Sequence, residues 1–334
     1  MSRVAVVVGG VAGAGVATAL DGEREVVVFE REGEPGGRTA TRRRAGHVYD
    51  VGANYHKGGS ELLDSLDEGD LIDVEEPVWT FEGDGEIKPG DDRDDHKWTF
   101  EDGITILPRR LLERASATVR TGTEVTGLER TGEGEWDVLA GGGRTGPYDA
   151  VVLTPPGPAS ASILEHTSVD SGTDFDPAAL AADLESFAYR SIDSFALAYS
   201  FPLDRPYYAA VNTDRAHAVG WLAREGEKRG HVPDGRSLLI VQMAPDWSVE
   251  HRETPDGRAA ELAAGHAAAL LDDDRLADPK WTERVSWRHA LPDDEAIDAN
   301  AGEAAGLYVA SDATHGEGRI HASLEGGLEI GDRL

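Results

Sequence analysis

The stretch VAVVVGGVAGAGVATAL, Val4 to Leu20, decides how the rest of the chain is read. An apolar run enters a glycine cluster and leaves as an alanine-rich segment. That is the pattern of a buried strand, a tight turn and a helix, the opening of a βαβ nucleotide-binding unit. In such a unit the first glycine makes the turn, the second lets a pyrophosphate approach the backbone, and the third lets the helix pack against the sheet. Two registers compete. Val8–Gly10–Gly13 puts a valine at the first position, and Gly13–Gly15–Thr18 replaces the third glycine. A second apolar strand, REVVVFE (Arg24–Glu30), ends in a carboxylate, the group that binds a ribose about 20 residues after the turn. Glu30 lies 22 residues after Val8 and 17 after Gly13, and Val8 also ends the first strand. The register is therefore Val8–Gly10–Gly13, with Gly9 expected to take up dihedrals that valine resists. A glycine-rich turn that holds no ligand remains the alternative at this point.

Composition narrows the class. The 334 residues allow one large α/β unit or two intertwined domains, and a 40% hydrophobic fraction is enough for a sizeable core. With no cysteine, disulfides, thiolate catalysis and cysteine-ligated metals are excluded. The net charge is −31, from 63 acidic and 32 basic residues, with the acids spread along the whole chain. That distribution fits a solvation surface for a salt-rich cytoplasm, where screening quiets self-repulsion. It disfavours a nucleic-acid partner, which needs a basic stripe. No window approaches the roughly 20 apolar residues of a membrane span, so stable membrane insertion is not expected. The first strand is too short for a signal peptide, and the expected location is cytoplasmic.

Further along, Ser60–Val74 reads as a helix that Gly69 could end early. Phe81–His96 reads as an acidic surface hairpin or loop. DGITILPRRLLERAS is a turn and a helix, and ATVRTGTEVTGLER and EWDVLA are strands. GPYDAVVLTPP is a strand stopped by prolines. RSIDSFALAYSF and SLLIVQMA are strands, DGRAAELAAGHAAALL a helix and GLYVASD a buried strand. The final helix is expected from about Ala322.

Glu30 is followed six residues later by Gly36-Gly37-Arg38. A Gly-Gly turn exposes backbone N–H groups, and an arginine adds a bidentate phosphate donor. Arg42–Arg44 read more simply as a solvated basic run. The histidines show no metal-ligand spacing, and no metal site or nucleophile triad is expected.

These blocks carry a resemblance. VVFEREGEPGGRTATRR followed by YDVGANYH, then YDAVVLTPP, then GLYVASDATHGEGRIHASLEGGLE, in this order, resemble the flavin amine-oxidase superfamily. The length, and VSWRHALPDD before the last block, are most similar to its renalase-like branch. The similarity is strongest at the two ends and thin between about Ile163 and Trp281. It implies an α/β fold: a Rossmann-like FAD-binding domain (1–60, 100–165 and 284–334) with an inserted α+β substrate domain (61–99 and 166–283). It implies FAD as cofactor. Gly10, Ala12 and Gly13 would line the pyrophosphate. Glu30, with Arg31 beside it, would take the adenosine ribose, and Gly37 and Arg38 the phosphates. Val125 would contact adenine through its backbone. Gly52, Ala53, Asn54 and Tyr55 would border the isoalloxazine. Asp312 would bind ribitol or pyrophosphate. Gly326 and Gly327 would bring the last helix near the flavin pyrimidine edge, where its dipole favours an anionic reduced flavin.

The chain departs from that pattern at Val8, at Ser311 and at Gly326, where glycine, glycine and serine are usual. It also lacks, in RSIDSFALAYSF, the lysine that monoamine and polyamine oxidases place near flavin N5. That weakens a simple amine-oxidase reading. The renalase-like one implies a small-molecule hydride donor, with dihydronicotinamide dinucleotide isomers as candidates, and dioxygen as acceptor giving hydrogen peroxide. Tyr55, Trp287 and His289 are the candidate residues at the reacting centre, with His321 also a candidate to line it. Tyr189, Trp221, Trp247 and Trp287 could form an apolar pocket over the flavin, although core packing explains each singly. The alternatives are an amine oxidase, a desaturase, or a nucleotide-binding protein without catalysis.

Overall fold

The computed structural model describes residues 2–57, 60–90, 96–132, 134–170 and 172–334. Part of the acidic Phe81–His96 stretch, 91–95, lies outside them. The chain divides into two compact units: Met1–Arg38, Thr105–Tyr189 and Leu291–Leu334 form one, and Thr39–Ile104 and Arg190–Ala290 the other.

The first unit is built on a parallel five-stranded sheet in the order Leu307–Val309, Ala150–Leu153, Arg3–Val7, Glu25–Phe29, Thr118–Arg120. Its strands are short unbroken apolar runs, because both faces of a parallel sheet are covered; Val4, Ala5 and Val6 are fully buried. This is the expected Rossmann-like α/β fold. The helix Val11–Ala19 follows the first strand and packs on the last helix, Ile320–Arg333, and on Ile106–Arg114. The contact with the last helix is made by glycines. A Cβ on Gly15 would lie 2.6 Å from the Leu324 carbonyl oxygen and 3.1 Å from the Gly327 Cα. One on Gly327 would run into the Ala12 carbonyl, and one on Gly331 into the Ala19 methyl. A small antiparallel sheet, Val125–Arg130, Trp136–Ala140 and Gly143–Tyr148, packs Leu128, Trp136, Val138 and Tyr148 into the same core as Val7 and Phe29.

The second unit is a six-stranded sheet in the order Trp281–Pro292, Tyr189–Tyr199, Ser237–Met243, Val219–Arg224, Ala209–Asn212, Val78–Phe81. Alternate residues of each strand serve opposite faces. Phe195, Leu197 and Tyr199 pack with the Asp256–Leu271 helix and Trp247. Ala196 and Ala198 lie under a two-stranded hairpin, Thr41–Arg44 and His47–Asp50, with Tyr49 and Val51.

Three expectations need correction. The Ser60–Val74 helix stops at Leu66; Gly69 turns the chain at φ +94°, and Leu71–Asp73 is a strand paired with Trp98–Phe100. The last helix begins at Ile320, two residues before the expected start. The unit boundaries also differ: 39–60, 100–104 and 284–290 fall in the second unit and 166–189 in the first. Packing explains the shift of the hairpin, whose Tyr49 and Val51 share a core with Ala196, Leu238 and Ile240. Among the described residues no helix is long and apolar enough to cross a membrane.

Candidate cofactor and active site

The turn after the first strand runs in the Val8–Gly10–Gly13 register. Val8 itself sits at φ +78°, and Gly9 is not among the positive-φ residues. The expectation that Gly9 absorbs the turn is therefore corrected: a β-branched residue holds the left-handed conformation, at a cost of order 1–3 kcal/mol. Neighbouring groups impose it. The Val8 N–H donates to the Phe29 carbonyl at 2.8 Å, and the Thr154 hydroxyl reaches the Val7 and Val8 carbonyls at 2.6 and 2.8 Å. Gly13 is required by packing, since a Cβ there would press into the Val8 carbonyl oxygen. Gly10 differs. It caps the helix at φ −78°, and a Cβ on it would have one neighbour, the Gly36 carbonyl at 3.9 Å. The first intrahelical bond is Ala14 N–H to the Gly10 carbonyl, so the N–H groups of Val11, Ala12 and Gly13 have no partner within the helix. An open cradle over N–H groups that have no hydrogen-bond partner among the described residues, at the positive end of a helix dipole, suits a pyrophosphate.

Glu30 is 2% exposed and ties the turn to the second strand. One carboxylate oxygen accepts from Gly9 N–H at 3.0 Å and the other from Glu32 N–H at 2.8 Å. A carboxylate has about four lone-pair sites, so these two bonds leave capacity for ribose hydroxyls. Thr123 N–H donates to the Glu30 carbonyl, which draws the start of the Val125 strand toward the same corner. Arg31 points outward, 66% exposed and paired with Glu32. The Gly36–Gly37 turn folds back on the helix cap: Gly36 N–H donates to the Gly9 carbonyl, and a Cβ on Gly37 would lie 3.6 Å from the Gly10 Cα. Arg38 then pairs with Asp312, residues 274 apart in sequence. Asp312 is 1% exposed, and its second oxygen accepts from the Tyr189 hydroxyl at 2.6 Å. Burial, and then the Asp312 carboxylate, push the Tyr189 phenol well above its ordinary value, so it stays a neutral donor.

Gly326 and Gly327 are not at the positive end of their helix, which begins at Ile320. Gly327 is accounted for by contact with Ala12 and Gly15. Gly326 makes room for His315, whose Nδ1 would lie 2.9 Å from a Cβ there. Both ring nitrogens of His315 are buried without a hydrogen-bond partner among the described residues, and burial lowers its pKa.

In the second unit the segment Asp50–His56 is fastened along its length. The Asp50 carboxylate accepts from the Lys228 ammonium at 2.7 Å, the Thr41 hydroxyl at 2.7 Å and Ile104 N–H at 3.0 Å. Lys228 also reaches Glu225 at 3.0 Å, and the other Glu225 oxygen meets His231 Nδ1 at 2.8 Å; all four side chains are fully buried. Burial alone would raise the Asp50 pKa, but Lys228 and His231 outweigh it and hold the carboxyl below its ordinary range. Burial likewise works against the Lys228 charge, and Asp50 and Glu225 more than restore it. Asp50, Glu225 and His231 have the spacing of a cation site, within 4.8 Å of one another. The Lys228 ammonium already supplies the positive charge between the two carboxylates. Next along the segment, Trp287 Nε1–H donates to the Val51 carbonyl at 2.9 Å, and Gln242 Nε2 to the Gly52 carbonyl at 2.8 Å. His56 closes the segment with a bridge to Trp98.

Tyr55 lies against Trp221 and Tyr208, with ring centroids 6.1 and 6.2 Å away. Trp287 and Trp221 thus both contact the segment, through Val51 and Tyr55. Trp247 does not: it is 7% exposed, packed with Phe195 and stacked on His251 at 4.1 Å, and belongs to the core. Tyr189 serves Asp312. His289 lies on the Trp281–Pro292 strand, and His321, 42% exposed, lies in the first turn of the last helix. Sequence reasoning missed Lys228 and Gln242. The one available signal for Lys228 was its rarity, as one of five lysines in an arginine-rich chain.

The fold and the glycine turn define a dinucleotide-binding protein, and the family model for an NAD(P)-binding Rossmann-like domain matches residues 6–68. The chain belongs to the flavin containing amine oxidoreductase family, whose model matches residues 84–333. It is an FAD-dependent oxidoreductase. Curated protein sequences gave no match. Among solved structures the fold is similar to a putative protoporphyrinogen oxidase from Exiguobacterium sp. 255-15, with TM-score 0.78, 13% identity and 99% and 98% of the two chains covered. It is also similar to cyclohexylamine oxidase from Brevibacterium oxydans IH-35A, with TM-score 0.71, 15% identity and 100% and 99% covered. A third likeness is to reduced UDP-galactopyranose mutase, with TM-score 0.74, 10% identity and 100% and 93% covered. The residues present fit FAD: the cradle over Gly10 is open, and Glu30 keeps lone pairs to spare.

Proposed function

We propose that this chain oxidises a small-molecule hydride donor of the dihydronicotinamide type, with dioxygen as the acceptor. Bound FAD would supply the hydride acceptor at N5. The donor gives up a hydride and leaves as an aromatic nicotinamide; dioxygen takes the two electrons and the proton of that hydride, together with one proton from solvent, and leaves as hydrogen peroxide. In this reading Gly10, Ala12, Gly13, Gly37 and Arg38 hold the pyrophosphate, Glu30 the adenosine ribose and Asp312 the ribityl chain or the pyrophosphate. Val125 borders the adenine, and Gly52–Tyr55 border the isoalloxazine.

One observation carries the choice of donor. Among the described residues, Gly52 and Tyr55 are contacted by Gln242, Asn54, Trp221 and Tyr208, and none of these four is a charged base. Burial holds the Tyr208 phenol neutral, and the nearby Lys228 is locked between two carboxylates. These four side chains offer no charged acceptor to a substrate that must lose a proton before its hydride, whereas a dihydropyridine needs none.

Anaerobic mixing of the FAD-loaded protein with each dihydronicotinamide isomer, and separately with primary and secondary amines, tests the reading. Bleaching of the flavin absorption by a dihydronicotinamide isomer is expected. Bleaching by amines alone would make the chain an amine oxidase, and bleaching by neither would reject both readings.

A further inference from the structure

On the sheet of the second unit, Ser194, Gln242 and Trp221 sit side by side on three neighbouring strands, each directly opposite the next in the ladder. Directly opposed residues share a face of the sheet. Gln242 uses its Nε2 on the Gly52 carbonyl, and Asn54 Nδ2 donates to the same oxygen at 3.1 Å. That carbonyl requires the NH2 end of Asn54, which fixes where its Oδ1 faces. Gln242 and Asn54 therefore meet at the Gly52 carbonyl, and Ser194 and Trp221 flank Gln242 on the same face of the sheet.

Three of them are unfinished. Ser194 Oγ, Asn54 Oδ1 and Trp221 Nε1–H are buried and have no hydrogen-bond partner among the described residues. Ser194 is fully buried and Asn54 is 8% exposed. A buried polar atom without a partner is costly, and such atoms are few in native proteins. Here a donor, an acceptor and a hydroxyl are left over within one ladder row and the loop bonded to it. The half-buried rings of Trp221 and Tyr55 stand beside them, 6.1 Å apart and tilted by 50°.

We infer that Trp221, Asn54 and Ser194 form a subsite for a carboxamide on an aromatic ring. The Trp221 N–H donates to the amide carbonyl, Asn54 Oδ1 accepts an amide N–H, and Ser194 Oγ completes the set. This rests on the proposed dihydronicotinamide reading and adds the group by which the donor is recognised. The flavin's own pyrimidine offers the same donor–acceptor edge, so the experiment separates the two sources.

Nicotinamide and 3-acetylpyridine, which keeps the carbonyl but has no N–H, are titrated into oxidised FAD-loaded protein and followed by the flavin difference spectrum. FAD affinity is measured in parallel by reconstitution. Trp221→Phe keeps a ring and removes the donor; Ser194→Ala removes the hydroxyl. The wild type is expected to bind nicotinamide more tightly than 3-acetylpyridine. Each variant is expected to bind nicotinamide about fivefold to tenfold more weakly with FAD affinity unchanged, the effect of one hydrogen bond. Variants that lose FAD affinity while nicotinamide binding is unchanged would assign the edge to the flavin and overturn the inference. So would a wild type with no preference for the amide, or variants that alter neither ligand. None of these readouts needs turnover, so an enzyme that is not reduced by dihydronicotinamides yet prefers nicotinamide would reject the proposed reaction and leave the subsite standing.

Discussion

Gly10 and Gly13 stand three residues apart in one turn, and the structure gives them different reasons. A side chain on Gly13 would collide with the Val8 carbonyl and lie 3.1 Å from Val6 Cγ1, so Gly13→Ala must displace the helix from the sheet. Overpacking of that kind costs about 1–3 kcal/mol. A side chain on Gly10 meets nothing nearer than 3.9 Å, and its φ of −78° suits any residue. Gly10→Val should therefore change the stability of the FAD-free protein by under ~1 kcal/mol, the scale of an N-cap exchange. Its added methyl groups would occupy the space over the N–H groups of the first helical turn. Losing two charge-assisted bonds of roughly 1.5–3 kcal/mol each should weaken FAD binding by at least about 100-fold. Thermal melts of FAD-stripped protein in high salt, paired with FAD titration by flavin fluorescence quenching, read both quantities. Gly13→Ala should fail in the melt, Gly10→Val in the titration. Wild-type FAD affinity in Gly10→Val would refute the register and the role given to the cradle.

Two further outcomes follow from buried charge. Lys228→Met leaves Asp50 and Glu225 facing each other without their cation, and loss of one partner of a buried pair typically costs about 3–5 kcal/mol; a denaturant melt should show the second unit unfolding first. Burial lowers the pKa of His47, His266 and His315 below the 6.5 of a free histidine. The unfolded chain therefore binds more protons than the folded one just below pH 6.5, and the stability these neutral rings contribute is present above that pH. Denaturation midpoints should fall as pH drops through about 6 toward 5, and a His315→Gln variant should show a shallower fall.

Much of the first unit was legible in the sequence because its signals are local. An apolar run fully buried on both faces, a turn crowded with glycine and a carboxylate at a fixed spacing all act within 30 residues of chain. The same locality explains the error at Val8. Sequence alone assigns a left-handed turn to the adjacent glycine, whereas the Phe29 carbonyl and the Thr154 hydroxyl hold Val8 in that conformation. Gly327 shows the reverse limit. As a motif position it reads as a cofactor contact, but its missing side chain is explained by the Ala12 carbonyl of a helix more than 300 residues earlier.

By itself, the sequence determined the nucleotide-binding βαβ start, the register of its turn, the exclusion of thiol chemistry and the resemblance that led to a flavin. Tertiary structure decided which distant groups complete each site. Asp312 finds Arg38 and Tyr189, Asp50 finds Lys228, and Gly52 finds Gln242. Each pairing joins residues separated by more than 100 positions. A buried charge or carbonyl must be satisfied by whatever the fold brings within about 3 Å, and nothing in the spacing along the chain records that partner.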